Sequence, residues 1–363
     1  MKKGISVLLL VCACFFLFVA CGQEEEASSD AVSEKENVVQ SETYTFGYSC
    51  INMNNPFFIA LENSLRTDLE AAGHTLITKD AAGKMDTQNV QIDELIEAEV
   101  DAIFLSPVDW IAVTDSVQKI KDAGIKLINI DTEVQVFDQV DAFVGSNNKQ
   151  AGKLCGKDLL ERMPEGGKVL ILECPDRNSI NDRIKGFEEA IAKKGFEVIA
   201  RINAKSDLNV ALEEVDKALE AYPDIDVIMC GNDPAALGAL VAVNAEGRKD
   251  IIIYGIDGSP EVKKEIAKEN SLIVASVAQS TKQMGQEAAK VALNMMAGEE
   301  FEKNISYLIN NAKKYSTNIA FIGLPMVDEE KVVPLPWNKE KSYFNRKIIV
   351  FDNKLKEICN KNN

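Results

Sequence analysis

The sequence contains a single histidine, His74, in 363 residues. Zinc sites built on several histidines and relays of imidazoles are therefore excluded, as is any catalytic triad that needs a second imidazole. Cysteine is sparse as well. Three of the eight cysteines, Cys12, Cys14 and Cys21, lie near the N-terminus, and the other five stand at wide, irregular spacing. This spacing predicts neither a disulfide framework nor a metal-binding clamp.

Basic residues are in deficit, with 40 Lys and Arg against 57 Asp and Glu and a net charge of −17. Such an acidic surface repels phosphate backbones, so we expect no nucleic-acid partner. Neither a Gly-x-Gly-x-x-Gly loop nor a Walker loop follows any predicted strand, which argues against nucleotides. We expect no cofactor, no metal and no catalytic residue. The remaining composition, 46% hydrophobic and 27% charged, is typical of a globular chain with room for two domains.

The N-terminal segment differs from the rest of the chain. Residues 1–20 have a basic start and an apolar run from Ile5 to Ala20, which predicts a secretory signal peptide. The following Val19-Ala20-Cys21-Gly22 resembles the lipobox of bacterial lipoproteins, and this resemblance implies lipid attachment at Cys21 and a membrane anchor. The alternative is an ordinary signal peptide with an incidental cysteine. Residues 21–43 are rich in Glu and Ser and predict a flexible tether.

From Tyr44 onward, short Val- and Ile-rich runs alternate with amphipathic stretches. The predicted strands are 44–49, 75–78, 102–106, 126–130, 142–145, 168–172, 197–200, 226–230, 251–256 and 272–277. The predicted helices include 58–72, 111–123, 151–162, 184–194, 212–221, 235–246 and 281–297. This alternation is typical of a doubly wound α/β protein with buried parallel strands. Ten strands are too many for one compact sheet here, so we expect two lobes.

Ligands of such sheets bind at the carboxyl ends of the strands. Asp131, Asn232 and Asp257 follow three of the predicted strands closely, and Asn55 with Phe57 and Phe58 comes soon after the first. Taken alone, each has a structural alternative. The phenylalanines suit a hydrophobic core, Asp131 a turn, and Asn232 a helix N-cap. Paired hydrogen-bonding groups beside aromatic rings also suit a sugar, which presents hydroxyls and C–H faces.

Six short motifs follow one another along the chain. They are Asn55-Pro56-Phe57-Phe58, Ile130-Asp131, Arg183-x-x-Gly186-Phe187, Gly231-Asn232-Asp233, Gly255-Ile256-Asp257-Gly258 and Ala278-Gln279. From about Tyr44 to about Gly298 the chain resembles the ribose-binding protein family, the type I periplasmic sugar-binding proteins of ABC transporters. The resemblance implies two Rossmann-like lobes, 44–146 plus about 280–308 and 147–279, joined by a three-segment hinge. Residues 309–363 would form an atypical extension.

The resemblance also implies a set of ligand-binding residues. They are Asn55, Phe57, Phe58, Asp131 and Thr132 in the first lobe, Arg183, Asn232 and Asp257 in the second, and Gln279 in the hinge. Thr132 departs from the family pattern, because an Arg is common there. Arg183 alone faces two carboxylates, with no second cation in view, so the sequence predicts a neutral monosaccharide such as a pentose, a hexose or a polyol.

The resemblance implies a monomeric binding protein outside the cytoplasm that delivers its sugar to the transmembrane subunits of an ABC importer. A sensory protein that presents a bound sugar to a membrane receptor is the alternative. An enzyme using Asp131 and Asp257 as acid and base is disfavoured by the binding-protein motifs. The signal peptide and the missing helix-turn-helix exclude a repressor. We expect ligand-driven closure about the segments near Ser146 and Gln279.

Overall fold

The computed structural model describes residues 42–298, 318–322 and 326–328. Its strands are β1 (Thr45–Cys50), β2 (Thr75–Asp80), β3 (Ala102–Leu105), β4 (Lys126–Ile130), β5 (Ala142–Ser146), β6 (Gly167–Glu173), β7 (Phe196–Asn203), β8 (Val227–Cys230), β9 (Ile252–Asp257), β10 (Ile273–Ala278), β11 (Asn318–Ile322) and β12 (Met326–Asp328). Its helices are α1 (Pro56–Ala71), α2 (Met85–Glu97), α3 (Thr114–Asp122), α4 (Asn148–Arg162), α5 (Asn178–Ile191), α6 (Leu208–Ala221), α7 (Asp233–Ala245), α8 (Pro260–Ile266) and α9 (Thr281–Met296).

All ten predicted strands are present as β1 to β10, with ends that differ by a few residues. Helices α4, α5 and α6 begin three to six residues earlier than predicted. The predicted starts lie inside the helices, whereas α4 and α6 begin directly after the polar caps Asn147 and Asp207. Helix α2 was not predicted, because its buried face is only Gln88, Ile92 and Leu95. Such a narrow stripe gives a weak helical signal.

The strands form two sheets of six. The first has the order β11-β5-β4-β3-β1-β2 and is parallel throughout. The second has the order β12-β10-β9-β8-β6-β7 and is parallel except for β12. The predicted fold class, two doubly wound α/β lobes, is therefore confirmed. Strand β11 lies in the stretch assigned to an extension, yet it pairs with β5 in the first sheet. Apolar runs at 307–309, 319–324 and 347–351 also predict strands; the second overlaps β11, and the other two lie outside the described residues.

Both faces of each sheet are covered by helices. In the first lobe α1 and α9 pack on one face and α2 and α3 on the other. In the second lobe α6 and α7 cover one face, and α4 and α5 the other. The central strands are consequently buried on both sides, which explains why they are almost uninterrupted apolar runs in the sequence. Apolar burial of this extent is the main stabilising contribution in both lobes.

The chain changes sheets three times. It leaves the first sheet after β5 and enters the second lobe through α4, which packs against α5. It returns after β10 through α9, which packs against α1, and β11 and β12 then belong to different sheets. Three segments therefore join the lobes. Among residues 42–298 and the two short strands beyond, no helix is long and apolar enough to cross a bilayer.

Candidate functional site

A cleft lies between the carboxyl edges of the two sheets. Residues of both lobes form its walls. They are Asn55, Phe57, Phe58, Asp131, Arg177, Ser179, Ile180, Arg183, Asn232, Asp257 and Gln279. Eight of the nine residues that the sequence predicts for ligand binding are in this set, and Thr132 is not.

The aromatic wall is built at the start of α1. Asn55 caps this helix by accepting a hydrogen bond from Phe57 N at 3.0 Å, and Pro56 takes the first helical position. The Phe57 and Phe58 rings meet edge to face, with centroids 5.2 Å apart. Phe58 is also part of the core of the first lobe, while Phe57 is half-buried. Both alternatives from the sequence therefore apply, because these rings belong to the core and to the cleft.

Two aspartates stand at equivalent places in the two lobes. Asp131 follows β4 and has a φ of 72°, and Asp257 ends β9 with a φ of 144°. Positive φ is costly for a residue with a side chain, and such strain is concentrated at functional sites. Both side chains are buried, with 6% and 9% exposure. The strand ends thus hold two carboxylates in the cleft at a conformational cost.

Arg183 is the most extensively bonded residue of the cleft. Its Nε donates to Asn148 Oδ1 at 2.8 Å, and its Nη1 donates to Gly231 O at 2.8 Å and to Asp257 Oδ1 at 3.4 Å. The side chain is only 3% exposed, so Arg183 is a buried residue and does not form a surface ion pair. None of these three contacts uses Nη2. A buried guanidinium with three acceptors is held rigidly.

Close packing of α4 on α5 places Arg183 beside Asn148. A Cβ on Gly152 would come within 1.7 Å of Arg183 O, and one on Gly186 within 2.0 Å of Lys149 O. Neither position tolerates a side chain without separating the helices. The Gly186 of the sequence motif is therefore explained by helix packing, which in turn sets the position of the guanidinium.

The remaining polar residues of the cleft serve both the fold and the site. Asn232 Oδ1 accepts from Ala235 N at 3.2 Å and caps α7, while its Nδ2 donates to Ser206 O. Gln279 Nε2 donates to Asp257 Oδ1 at 2.8 Å. Beneath them, buried Asp233 accepts from Ser259 N and from Ser276 Oγ, which fixes the loop after Asp257. The sequence analysis missed Asp233 as a supporting residue, although it directly follows Asn232.

Burial dominates the electrostatics of the acidic groups. It raises the pKa of Asp131 to about 6, against the opposing effect of Arg183 and with an added rise from Asp257. Burial also raises the pKa of Asp257, although Arg183 and the Gln279 amide favour its charged form. Desolvation, followed by the charge of Asp257, raises the pKa of Asp233 to about 7. Burial thus disfavours the ionised form of all three carboxyl groups.

Thr132 and Arg177 differ from the sequence prediction. Thr132 is fully buried, and its Oγ1 accepts from Ser179 N of the second lobe at 2.9 Å, so its hydroxyl does not reach the cleft. Arg177, just before α5, lines the cleft as a second cation. The statement that no second cation is in view is therefore corrected. The only signal for Arg177 was its place in the loop after β6, four residues beyond the strand.

Three polar atoms of the cleft lack a partner. Asp131 Oδ1, Arg177 Nε and Gln279 Oε1 are buried, and none forms a hydrogen bond with the described residues. Buried polar atoms are rarely left unpaired, because desolvation without a hydrogen bond costs about 1–3 kcal/mol each. Residues that line the cleft thus offer two acceptors and one donor without partners. Together with the aromatic wall, this arrangement fits a small polar ligand with both donor and acceptor groups.

Two parallel α/β lobes, three connecting segments and a polar cleft between the sheets define a two-lobed solute-binding protein. Residues 46–300 match the family model described as a periplasmic binding protein domain. The chain belongs to this family.

Individual relatives agree with the family assignment. The ribose import binding protein of Bacillus subtilis is 29% identical over 307 residues, which cover 84% of this chain and 97% of the relative. The D-ribose/D-allose-binding protein of Pseudomonas aeruginosa is 26% identical, over 70% of this chain and 83% of its own. An ABC transporter solute-binding protein of Bacillus halodurans, solved with myo-inositol, superposes with a TM-score of 0.70 at 27% identity, covering 80% of this chain and 96% of that one.

Proposed function

We propose that this protein captures a neutral monosaccharide or polyol in the cleft and delivers it to an ABC importer. The observation that carries the proposal is the set of unpaired buried atoms in the cleft, Asp131 Oδ1, Arg177 Nε and Gln279 Oε1. Hydroxyls donate and accept at once, so a polyol can satisfy all three. The similar import binding proteins for ribose, allose and apiose support the same class of ligand.

The charge of the cleft supports a neutral ligand. Two carboxylates, Asp131 and Asp257, lie with two guanidiniums, Arg177 and Arg183, so the lining is balanced. A buried anion or cation would disturb this balance, and an uncompensated buried charge is costly. The sequence reached the same ligand class from one cation and two carboxylates. The two carboxylates and two guanidiniums that line the cleft give a stronger reason for a neutral ligand.

Each of the eight predicted residues that line the cleft has a proposed task. Phe57 and Phe58 stack on the C–H face of the sugar, and Asp131 and Asp257 accept from its hydroxyls. Arg183 donates through Nη2, and the amides complete the ring of contacts. The amides are Asn55, Asn232 and Gln279. No chemistry on the sugar is proposed. Its unchanged NMR spectrum after incubation with the protein would support binding alone.

Isothermal titration calorimetry against a panel of compounds tests the proposal. The panel holds D-ribose, D-allose, D-apiose, myo-inositol and other neutral pentoses and hexoses, with sugar phosphates and amino acids as charged controls. We expect a neutral member to bind. Asp131→Ala should lower its affinity at least about tenfold, while Asp138→Ala, at an exposed position of the same lobe, should not. Tight binding of only a sugar phosphate or an amino acid would refute the ligand class.

Ligand binding is proposed to close the lobes about the segments near Ser146 and Gln279. A sugar that touches both lobes gains contacts only in the closed arrangement, so it shifts the equilibrium toward closure. Small-angle scattering with and without the bound sugar should show a smaller radius of gyration in its presence. An unchanged radius would indicate a rigid cleft.

The anchor and cellular location are also proposals, and residues 1–41 lie outside the described residues. We propose that Cys21 carries lipid, and that the protein works as a monomer on the extracytoplasmic side of the membrane beside its permease. The support is the signal peptide and the Val19-Ala20-Cys21-Gly22 motif. Cys21→Ala should move the protein from the membrane fraction to the soluble or secreted fraction. Full membrane retention of this variant would contradict the anchor.

A further inference from the structure

We propose that Arg177 is a ligand-binding residue and that Arg177 and Asp131 together hold one hydroxyl of the ligand. This assignment rests on the proposed sugar-binding function and extends it to a specificity rule. A ligand that lacks the hydroxyl at this position should bind poorly.

The first observation is that Arg177 and Asp131 each present an unsatisfied atom. Arg177 Nε is buried without an acceptor, and Asp131 Oδ1 is buried without a donor. Burial raises the pKa of Asp131 and the Arg177 guanidinium partly opposes this rise, so the two groups interact, yet they are not among the ion pairs of the described residues. An atom that both donates and accepts would satisfy both. A hydroxyl does so by donating to Asp131 Oδ1 and accepting from Arg177 Nε.

The second observation is that contacts between the lobes hold the residues beside Arg177. Trp110 N donates to Asp176 O at 3.0 Å, and Ser179 N donates to Thr132 Oγ1 at 2.9 Å. In the third contact, Asn178 Nδ2 donates to Glu133 Oε2 at 3.0 Å. Residues 176, 178 and 179 of the second lobe are thus bound to the first.

This arrangement couples the position of Arg177 to the contact between lobes. Thr132 and Glu133 directly follow Asp131, so the loop that carries Arg177 docks onto the segment that carries the carboxylate. The backbone of Arg177 is used locally, because its N–H donates to Cys174 O and its carbonyl accepts from Ile180 N. The side chain is left for the ligand. Thr132 therefore contributes through the docking of the loop, without touching the ligand.

The experiment compares binding of parent and deoxy sugars by calorimetry. The probes are D-ribose, D-allose and myo-inositol, with the monodeoxy forms of each one that binds. For wild-type protein we expect one deoxy form to bind about 10- to 100-fold more weakly than its parent, the usual effect of losing a hydrogen bond to a charged group. In Arg177→Met, the parent should bind about as weakly as that deoxy form, and the difference between them should fall below about threefold.

Two variants separate ligand contact from structure. Arg201→Met removes a largely exposed Arg of the same lobe and should leave both affinities unchanged. Thr132→Val removes the acceptor for Ser179 N, so it should weaken parent and deoxy sugars equally and keep the difference between them. Equal thermal melting of wild-type and Arg177→Met without sugar would show that the variant folds.

The outcomes distinguish this assignment from the function on which it rests. If no neutral sugar binds the wild-type protein, the proposed function fails and the assignment fails with it. If a sugar binds and Arg177→Met keeps the wild-type preference for the parent over every deoxy form, only the assignment is overturned. Loss of the preference in Arg177→Met together with its retention in Thr132→Val supports it.

Discussion

The two cleft aspartates occupy equivalent places in the two lobes but have different surroundings. Asp131 and Asp257 both end a buried strand, both have positive φ, and both are nearly inaccessible to solvent. Asp257 Oδ1 accepts from Gln279 Nε2 at 2.8 Å and from Arg183 Nη1 at 3.4 Å. Asp131 Oδ1 has no partner among the described residues. In the second lobe this carboxylate oxygen is hydrogen-bonded within the protein, and in the first lobe it is not.

This difference indicates that the two lobes contribute to ligand binding in different ways. A polar site that is already hydrogen-bonded loses little freedom when the ligand arrives, and such preorganisation favours affinity. The second lobe is arranged in this way around Arg183. The first lobe offers an acceptor whose partner must come from elsewhere, so its carboxylate gains the most from the ligand. We therefore expect changes in the second lobe to weaken both folding and binding, and changes at Asp131 to weaken binding without weakening the fold.

The largest effect is expected for Arg183→Met. The substitution leaves Asp257 buried without its cation and removes the donors to Asn148 Oδ1 and Gly231 O. Breaking a buried ion pair by removing one partner costs about 3–5 kcal/mol. Urea denaturation without sugar should show a loss of this order in the free energy of unfolding. Arg177→Met is the control and should lose less than about 1 kcal/mol, since its Nε has no protein partner. Equal losses of unfolding free energy in Arg183→Met and Arg177→Met would contradict the proposed difference between these two arginines.

The fold was largely predictable because strands that are buried on both faces appear in the sequence as short apolar runs. Every apolar run such as Lys126–Ile130 became a strand, since both of its faces are covered. The positions of Asp131, Asn232 and Asp257 followed from the rule that sites lie at the carboxyl ends of strands. Helix starts were less predictable. Polar first turns carry no periodicity, and caps such as Asp207 stand before the apolar stripe.

The parts of the site that could not be predicted depend on contacts between lobes. Thr132 is small and polar beside an aspartate, which is typical of a ligand contact, yet its hydroxyl accepts from Ser179 N. Arg177 lies in a loop with no motif, and only the packing of that loop on the first lobe brings it into the cleft. Distances between residues this far apart in sequence are set by the tertiary structure. Sequence patterns record such distances only indirectly.

A second prediction concerns helix packing beneath the Arg183 network. Gly152→Ala places a methyl group within 1.7 Å of Arg183 O, so α4 and α5 must separate. Overpacking of this kind costs about 1–3 kcal/mol. We expect urea denaturation to show this loss in the free energy of unfolding, and calorimetry to show weaker sugar binding because Asn148 and Arg183 move apart.

Lys153→Ala is the control for this prediction. It adds no atom to the interface between the helices, and its ion pair with Glu189 is exposed. We expect it to change the free energy of unfolding by less than about 1 kcal/mol. If Gly152→Ala were as stable as the wild-type protein, then α4 and α5 could move apart without disturbing the Arg183 network.

A third prediction compares Asp131→Asn with Asp257→Asn. The folded-state pKa of Asp131, about 6, is above its usual 3.8, so the folded protein loses stability as pH rises through 6 and the buried charge forms. Removing that charge should raise the free energy of unfolding at pH 7.5 by about 1–3 kcal/mol. Asp257→Asn removes the carboxylate that pairs with Arg183, so it should give no such gain. Both variants should bind sugar about 10- to 100-fold more weakly. If only Asp257→Asn gained stability, the buried charge that destabilises the folded protein would be that of Asp257 and not that of Asp131.

The smallest expected effect is the pH dependence of sugar affinity. The ionised form of Asp131 accepts a ligand hydroxyl best, and burial raises its pKa to about 6. At pH 5 most of this carboxyl is protonated, so binding must first release a proton. Glu133 contributes in the same range. Burial, then the charge of Asp182, raises its pKa to about 7, and it holds the contact with Asn178.

Calorimetry at pH 7.5 and pH 5 measures this dependence. Wild-type affinity should be lower at pH 5 by up to about tenfold, because one pH unit below the pKa converts about nine-tenths of the carboxylate. Asp131→Asn should lose most of this slope, since its side chain does not titrate. Glu133→Gln keeps an acceptor for Asn178 and should retain the part due to Asp131. If the slope disappears in Glu133→Gln and persists in Asp131→Asn, the sensitive group lies in the contact between the lobes. The unpaired first-lobe carboxylate would then not be the group that the ligand satisfies.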